Sequence, residues 1–296
     1  MGVLLKDSAV GFVGLGNLGQ GMVLNLLDRG WSLTVFDSST QRAEILANAG
    51  AGTASTMAGL RDCRVICLAV PDDAAVTGIL LGTDGLLPLL VPGQTVIVHS
   101  TVLPETARML AGEFSEAGVA FLDAPVSGGP DRARRGELTL MVGGAETDLG
   151  AVTSLLQDMA SEVIHLGPAG CGSATKLANQ LMMFSTLAGT HEALRLGEAY
   201  GVPPTKVLQA VSSSTGDSWI ARNWGFFDDV AADYDRSGTP VRKRPWSKDL
   251  WELVMAARQA EIAVPLAGLL AQILPSLVEE HANTSGHPAA AASAET

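Results

Sequence analysis

Cysteine is scarce in this sequence, and the few cysteines fit no disulfide or metal-binding pattern. Cys63, Cys67 and Cys171 are the only three in 296 residues. Three thiols at these spacings exclude a disulfide framework and a cysteine zinc site, so we expect no metal. The opening residues carry no secretory pattern, because the charged pair Lys6 and Asp7 follows almost at once. We therefore expect a protein of the reducing cytoplasm.

Basic residues are also few. Nineteen lysines and arginines stand against 31 aspartates and glutamates, which gives a formal charge of −12. Such a protein repels both a nucleic acid backbone and an anionic membrane, and neither is expected as a partner. The basic residues that cluster are Arg132, Arg134 and Arg135, and then Arg242, Lys243 and Arg244. They indicate either solvated loops or a rim that attracts an anionic substrate.

Long apolar runs are absent as well. The longest candidate, residues 264–278, is too short to cross a bilayer and contains Pro265 and Pro275. Hydrophobic residues nevertheless make up 47% of the chain, enough for two packed cores. The composition predicts a two-domain globular protein.

Residues 9–166 alternate between short β-rich apolar runs and stretches of helical period. This alternation is typical of the α/β class, in which a doubly wound parallel sheet carries helices on its faces. The predicted strands cover 9–13, 32–36, 65–70, 95–99, 120–123, 138–142 and 162–166, and helices are expected to begin near Gly16, Thr40, Asp72, Pro104 and Thr147. We assign 1–167 to one domain.

The pattern changes after Gly167 and Pro168, where the strands stop. The remainder, 168–296, is predicted to be an all-helical domain, with a tail that frays from about residue 283. Residues 173–200 contain no proline and predict one helix of roughly 40 Å, long enough to join the two domains.

A glycine-rich turn follows the first predicted strand. It reads Gly14, Leu15, Gly16, Asn17, Leu18 and Gly19, and a helical run comes next. Gly14 permits the tight turn, Gly16 lets the backbone approach a pyrophosphate, and Gly19 allows the helix to pack closely on the strand. The amides of this helix start, including those of Asn17 and Leu18, then face the anion. The context predicts a Rossmann-type dinucleotide site.

An acidic residue ends the second strand, where an adenosine ribose would lie. Asp37 can accept both ribose hydroxyls and would repel a 2′-phosphate, which favours NAD over NADP. Ser38 and Ser39 beside it could still tolerate a phosphate. The alternative is that Asp37 only caps the next helix and the glycines only make a turn. Val70 and Pro71 would lie at the same edge of the sheet, near the cofactor.

Three further segments would converge on this edge: His99 to Thr101, Asp123 to Gly129, and Gly170 to Asn179. With them the chain resembles the β-hydroxyacid dehydrogenases, the family of 3-hydroxyisobutyrate dehydrogenase. The likeness extends from about Val10 to Glu279. The motifs that carry it are GFVGLGNLGQGM, DAPVSGGPDRARRGELTLMVGG, GCGSATKLANQ and SKDL at 247–250.

The resemblance implies roles for individual residues. Ser127, Gly128 and Gly129 would bind the substrate carboxylate, and Asn179 would hold the substrate. Lys176 would be the catalytic residue, while Lys248 would contact both cofactor and active site. Thr101 is expected to contact substrate and cofactor, and Trp219 to lie beside the pocket.

The chemistry of these residues agrees with the roles implied. Ser127 and the next two amides suit an anionic oxygen, although a plain tight turn is the alternative. Lys176 and Asn179 are three apart, so a helix presents both on one face. A neutral lysine can take the proton of an alcohol while hydride leaves the carbon of that alcohol. For Lys176 to be neutral, burial or a second cation would have to lower its pKa, and Lys248 is the candidate for that cation. The alternative for Lys176 is a solvated side chain.

Two regions depart from the family or leave a choice open. Pro245 forbids a regular helix interior at its position, so we do not expect the chain before Lys248 to enter a helix as it does in relatives. Arg242 or Arg244 could reach a substrate with extra negative charge. The stretch around Trp219 resembles the L-threonate dehydrogenase branch, which often has His where this chain has Asn179; a core tryptophan is the competing interpretation.

The sequence therefore predicts an NAD(P)-dependent enzyme that moves hydride between a short β-hydroxy acid and nicotinamide. The alternatives are an imine reductase on the same scaffold, which generally lacks the lysine at position 176, and a dinucleotide-binding protein without turnover. The apolar long helix, with Leu181, Met182, Leu187 and Leu194, predicts a homodimer or homotetramer.

Overall fold

The computed structural model describes residues 4–284, which form two compact units that divide between Lys176 and Leu177. We call them the N-terminal unit and the helical unit. They part inside the long helix, whereas the sequence pattern put the domain boundary at 167, which stays a prediction.

A six-stranded parallel sheet forms the centre of the N-terminal unit. Its strands are β1 (Ala9–Val13), β2 (Ser32–Phe36), β3 (Gly52–Thr53), β4 (Val65–Leu68), β5 (Thr95–Val98) and β6 (Ala120–Asp123). They lie in the order β3-β2-β1-β4-β5-β6. This is the order of a Rossmann sheet, and it confirms the predicted fold.

Helices cover both faces of this sheet. They are α1 (Asn17–Asp28), α2 (Thr40–Asn48), α3 (Asp73–Leu81), α4 (Pro104–Glu116) and α6 (Glu146–Met159), with 3₁₀ turns at Met57–Leu60 and Leu87–Leu89. Alternate residues of β4 enter different cores: Val65 and Cys67 pack in one, Ile66 and Leu68 in the other. A strand buried on both faces reads as a continuous apolar run, which is why the sequence located it.

A second, three-stranded sheet was not predicted. Here β8 (Leu138–Val142) pairs antiparallel with the two-residue β7 (Val126–Ser127) and parallel with β9 (Ala160–His165). The prediction that β8 and β9 continue the main sheet was wrong. Between β7 and β8 lies α5 (Gly129–Arg135), in a stretch that reads as a turn.

The helical unit takes up most of α7 (Cys171–Ala199) and continues through α8 (Pro204–Val211), α9 (Trp219–Arg222), α10 (Phe226–Arg236), a 3₁₀ turn at Val241–Lys243, α11 (Pro245–Gln259) and α12 (Pro265–Thr284). Its core includes Phe184, Phe227, Trp246 and Leu274. Pro245 is the first residue of α11. At this position the missing N–H costs the helix no hydrogen bond, because the first amides have no partner within the helix.

The predicted tail begins inside α12, and its residues 285–296 lie outside the described part of the chain. Within residues 4–284, no helix combines the length and apolarity needed to cross a bilayer.

Candidate active site

The loop between β1 and α1 is built so that only glycine fits at two positions. Gly14 has φ +91°, and a Cβ there would overlap the carbonyl oxygen of Ala69 on the neighbouring strand. A Cβ on Gly19 would overlap the carbonyl of Gly14, so helix and loop touch backbone to backbone. By contrast, a Cβ on Gly16 would meet nothing within 4 Å. The loop therefore leaves open space at the position expected for a pyrophosphate.

The start of α1 is open to an anion. Gly16 supplies no side-chain cap, and the first turn contains no acidic residue. The unpaired amides and the helix dipole favour a negative group there. These residues fit the phosphates of a dinucleotide.

Asp37 lies where β2 ends and contacts this loop directly. Its Oδ2 accepts a hydrogen bond from the amide of Leu15 at 2.7 Å, and its Oδ1 accepts one from Ser39 at 2.8 Å. Arg42 Nη1 lies 3.9 Å from Oδ2. The carboxylate thus does more than support the start of α2, because it also joins the glycine loop.

The segments after β4, β5 and β6 meet along the same edge of the sheet. The amide of Val70, which precedes Pro71, donates to Ser100 Oγ at 2.9 Å. His99 Nδ1 lies 2.9 Å from the carbonyl of Ala124. Since parallel strands end at a common edge, these contacts bring Thr101 and the start of the Ser-Gly-Gly segment toward the glycine loop.

His99 is a buried residue of this edge to which the sequence assigned no role. Burial lowers its pKa to about 4, against the opposing effect of its hydrogen bond to Ala124. The ring is therefore neutral at pH 7, and its Nδ1 donates to that carbonyl. The sequence around His99, a strand followed by Ser100 and Thr101, contains no pattern that predicts the burial of its ring.

The Ser-Gly-Gly segment combines a strand end with a helix start. Ser127 pairs with Thr139 in the small sheet, and α5 begins at Gly129. Gly128 and Gly129 have φ values of +139° and +76°, which L side chains rarely adopt. The two interpretations of this segment, a tight turn and a set of amides for an anion, are therefore compatible, because one backbone conformation serves both.

Lys176 lies one helical turn beyond the point where α7 is fixed to the sheet. Asp123, the last residue of β6, accepts hydrogen bonds from the amides of Gly170 at 2.8 Å and Ser173 at 2.7 Å. Lys176 is 8% exposed, so its side chain is not solvated as the alternative interpretation held. The sequence analysis named Asp123 but gave it no role, because its partners are 47 and 50 residues away.

Asn179 and Lys248 are joined by a buried polar network in the helical unit. Asn179 Nδ2 donates to Gln180 Oε1 at 3.3 Å, and Gln180 Nε2 donates to Asp249 Oδ2 at 2.5 Å. Lys248 Nζ lies 2.9 Å from both Asp249 Oδ1 and Glu252 Oε2. Burial alone would lower the pKa of Lys248, but the two carboxylates outweigh it and raise the pKa. Its charge is therefore balanced locally.

Trp219 is not the core residue of the competing interpretation. It opens α9 after Ser218, whose hydroxyl accepts the amide of Ala221, and it is 40% exposed. Its ring meets Phe226 edge-on, with centroids 5.0 Å apart. An aromatic face is thus presented at the surface of the helical unit.

The expectation for the second basic cluster was wrong at Arg244. This side chain is buried, and it binds Glu279 at 2.8 Å and Asp235 at 2.6 Å. Its Nε donates to the carbonyl of Thr239 at 3.0 Å. Arg244 is therefore neither a solvated loop residue nor available to a substrate. The local sequence could not predict this, because Asp235 and Glu279 lie 9 and 35 residues away.

The other basic cluster, on α5, forms exposed ion pairs. Arg134 Nη1 lies 2.6 Å from Asp28, and Arg135 Nε lies 2.7 Å from Glu137.

Within residues 4–284, no three histidine, cysteine or acidic side chains come together as a metal site would require.

Comparison with known families decides the relationship. Residues 9–167 match the model of the NAD binding domain of 6-phosphogluconate dehydrogenase. Residues 170–293 match the model described as the NAD-binding region of NADP-dependent 3-hydroxyisobutyrate dehydrogenase. The chain belongs to the β-hydroxyacid dehydrogenase family.

Individual members agree over nearly the whole length. An NAD-dependent L-serine dehydrogenase of Pseudomonas aeruginosa is 33% identical over 276 residues, 92% of each chain. A 3-hydroxyisobutyrate dehydrogenase of the same organism is 33% identical over 90% of this chain and 91% of its own. The structure of the Mycobacterium tuberculosis 3-hydroxyisobutyrate dehydrogenase with L-serine matches with a TM-score of 0.80 at 27% identity, over 93% and 95% of the two chains. Imine reductases share the fold at 20% identity.

Proposed function

We propose that this β-hydroxyacid dehydrogenase oxidises a short-chain β-hydroxy acid with NAD, and that Lys176 is the general acid and base. The observation that carries the proposal is the buried lysine at the second turn of a helix that Asp123 ties to the cofactor edge of the sheet. A protein that only bound a dinucleotide would need no buried amine there. The same amine argues against an imine reductase.

Substrate binding is assigned to groups with matching chemistry. Ser127 and the amides of Gly128 and Gly129 would accept the carboxylate of the acid. Asn179 would hold the hydroxyl-bearing carbon in place, with its amide oriented by Gln180. Thr101 and Trp219, whose side chain is 40% exposed, are proposed as further substrate contacts.

The reaction needs a proton acceptor and a hydride acceptor. Bound NAD, held by Gly14, Gly16, Asn17, Leu18 and Gly19 with Val70 and Pro71 beside it, supplies the hydride acceptor. Lys176 would take the hydroxyl proton and return it in the reverse direction. Because Lys248 is paired with two carboxylates, we assign it cofactor contact rather than the charge that activates Lys176.

L-Serine and 3-hydroxyisobutyrate are the first substrates to test, since the relatives named above act on or bind them. Both are short acids with a hydroxyl on the β-carbon. Glycerate and threonate extend the same pattern with a further hydroxyl.

NAD is proposed over NADP because of Asp37. Its carboxylate lies on the glycine loop and would repel a ribose 2′-phosphate. Arg42, 3.9 Å away, partly offsets this charge, so the ratio of kcat/KM for the two cofactors is the appropriate measurement.

The cellular setting is part of the proposal. All three cysteines are free, which is usual in proteins of a reducing cytoplasm. A homodimer or homotetramer is proposed from the apolar faces of the helical unit. Cell fractionation and light scattering test the two statements.

The deciding experiment is replacement of the amine. We expect Lys176→Ala to abolish NADH formation with every acid in a panel of serine, 3-hydroxyisobutyrate, glycerate and threonate. NAD affinity, measured by isothermal titration calorimetry, should stay within about twofold, because the lysine acts on the substrate proton. Lys206→Ala, at an exposed lysine, is the matched control. Turnover by Lys176→Ala would remove the assignment, and an inactive wild type would remove the proposed reaction.

A further inference from the structure

We propose that Asp123 is a positioning residue for Lys176: its carboxylate fixes the first turn of α7 to the end of β6, and thereby fixes where the amine lies. The proposal rests on the function proposed above for Lys176. It concerns residues of the N-terminal unit alone.

Asp123 is fully buried, and its two oxygens bind the residue before α7 and the first turn of that helix. Oδ1 accepts from the amide of Gly170 at 2.8 Å, and Oδ2 accepts from the amide and the hydroxyl of Ser173 at 2.7 and 2.9 Å. Burial raises the pKa of this carboxyl, and the hydrogen bonds oppose that rise. Three donors are what an otherwise costly buried acid requires.

The arrangement is more than a routine helix cap. Caps normally come from the residue just before the helix. Here that residue is Gly170, whose φ of +92° excludes most side chains, and the acceptor comes from a strand 47 residues earlier. The hydrogen bonds therefore tie helix to sheet.

The helix start packs backbone to backbone against the neighbouring strands. A Cβ on Gly172 would overlap the carbonyl of Met141 and lie 2.6 Å from that of Asp123. A Cβ on Gly143 would lie 2.9 Å from the amide of Gly172 and overlap Asp123 Oδ1. With no side chain between helix and strands at these glycines, the hydrogen bonds of Asp123 act directly on the position of the helix start.

The position of Lys176 follows from the position of this helix start. It follows Ser173 by three residues, so the two side chains lie on the same face of α7, one turn apart. A helix start that slides or tilts would move the amine with it. A misplacement of about 1 Å can reduce turnover about 100-fold.

Two variants of the tie, with a matched control, test the proposal by kinetics. Asp123→Asn keeps the shape but turns an N–H toward a donor; Ser173→Ala removes only the hydroxyl contact. Ser185→Ala removes a hydroxyl that bonds the carbonyl of Leu181 on the same helix and should change kcat less than about twofold.

We expect kcat to fall about tenfold or more in Asp123→Asn, and about threefold in Ser173→Ala, while the NAD dissociation constant changes less than about twofold. A purely structural role would lower the fraction of active protein without lowering kcat per bound NAD. Unchanged kcat in both variants would overturn the proposal. If Asp123→Asn does not fold, Ser173→Ala decides.

A second readout does not need turnover. Acetylation of Lys176 by acetic anhydride, followed by mass spectrometry and referred to the exposed Lys206, reports how well the amine is held. We expect Lys176 to be labelled fastest in Asp123→Asn, more slowly in Ser173→Ala and most slowly in the wild type. Equal rates would contradict the tie, even if the wild type oxidised no hydroxy acid and the proposed function had failed separately.

Discussion

Single buried charges hold together parts of this molecule that are far apart in the sequence. Asp123 joins β6 to α7, and Arg244 joins segments before and after α11. Each is buried with its hydrogen-bonding groups occupied, which is the condition under which a buried charge is tolerated. Removing such a residue leaves its partners buried and unpaired, so its effect exceeds that of an exposed ion pair.

Asp37 is the residue that should set cofactor choice. In Asp37→Ser we expect kcat/KM with NAD to fall about tenfold or more, since the hydroxyl acceptor is lost and the loop amide of Leu15 loses its partner. The ratio of NADP to NAD efficiency should rise, because the repelling charge is gone. Asp62→Ser, at an exposed acid, should leave the ratio unchanged. A ratio that stays constant in Asp37→Ser would remove Asp37 from cofactor selection.

His191 should make the helical unit less stable in acid. Its ring lies edge-on to Trp224, at 4.7 Å, and to His281, at 4.6 Å, whose Nδ1 is 2.7 Å from Asp228. Burial, with His281 adding to it and Asp228 opposing it, lowers the pKa of His191 to about 4. The unfolded chain takes up a proton below about pH 6.5 that the folded chain takes up only near pH 4, so stability falls across that window.

The measurement is urea unfolding of wild type and His191→Gln at pH 7 and pH 5. The wild type should lose up to about 2 kcal/mol more than the variant between these two values. His99 has a pKa shift in the same direction and is present in both proteins, so only the difference between them counts. Equal losses would contradict the role given to His191.

At the scale of elements, the sequence predicts best what local pattern controls. Strands β1, β2, β6 and β8 have the predicted bounds, because each is an apolar run bordered by turn residues. The two-residue strands β3 and β7 are too short for any period, and α5 begins in a Ser-Gly-Gly-Pro stretch that reads as a turn. In the candidate site, the sequence motifs include Asp123 and Gln180, but the contacts of these two side chains, with partners 50 and 69 residues away, could not be read from a local pattern.

The junction of α10, α11 and α12 depends on Arg244. Arg244→Met should lower the free energy of unfolding by about 3 kcal/mol, because Asp235 and Glu279 lose their buried cation. Urea unfolding at pH 7 measures the loss. Arg222→Met removes an exposed pair with Asp217 and should cost less than about 1 kcal/mol. Similar losses in the two variants would contradict the importance of burial.

At the scale of the whole molecule, most of the exposed apolar surface lies elsewhere than on the long helix from which association was predicted. Leu187 and Leu194 of α7 are buried within the chain, and of the four α7 residues named from the sequence only Met182, at 73%, is strongly exposed. The larger exposed set lies on the last two helices: Trp251 and Met255 on α11, and Leu266, Leu269 and Ile273 on α12. The α12 residues are spaced to share one helix face, and contiguous surfaces of this kind mark interfaces.

Leu269→Glu tests this surface. A charge in the middle of the α12 face should shift the proposed homodimer or homotetramer to monomer, since a carboxylate cannot be buried there without a partner. Light scattering after size exclusion at micromolar concentration gives the mass. Leu196→Glu makes the same change at an exposed leucine of α7 and should leave the mass unaltered. A monomeric wild type would refute the association itself.

The tryptophans are divided very unevenly between the two units. Trp31, whose indole Nε1 donates to Asp158 at 2.8 Å, is the one tryptophan of residues 1–176, while the other four fall between positions 219 and 251. Intrinsic fluorescence therefore reports mainly on the helical unit. In a Trp31→Phe protein it would report on that unit alone, so its melting could be followed by emission while far-ultraviolet circular dichroism follows the whole chain.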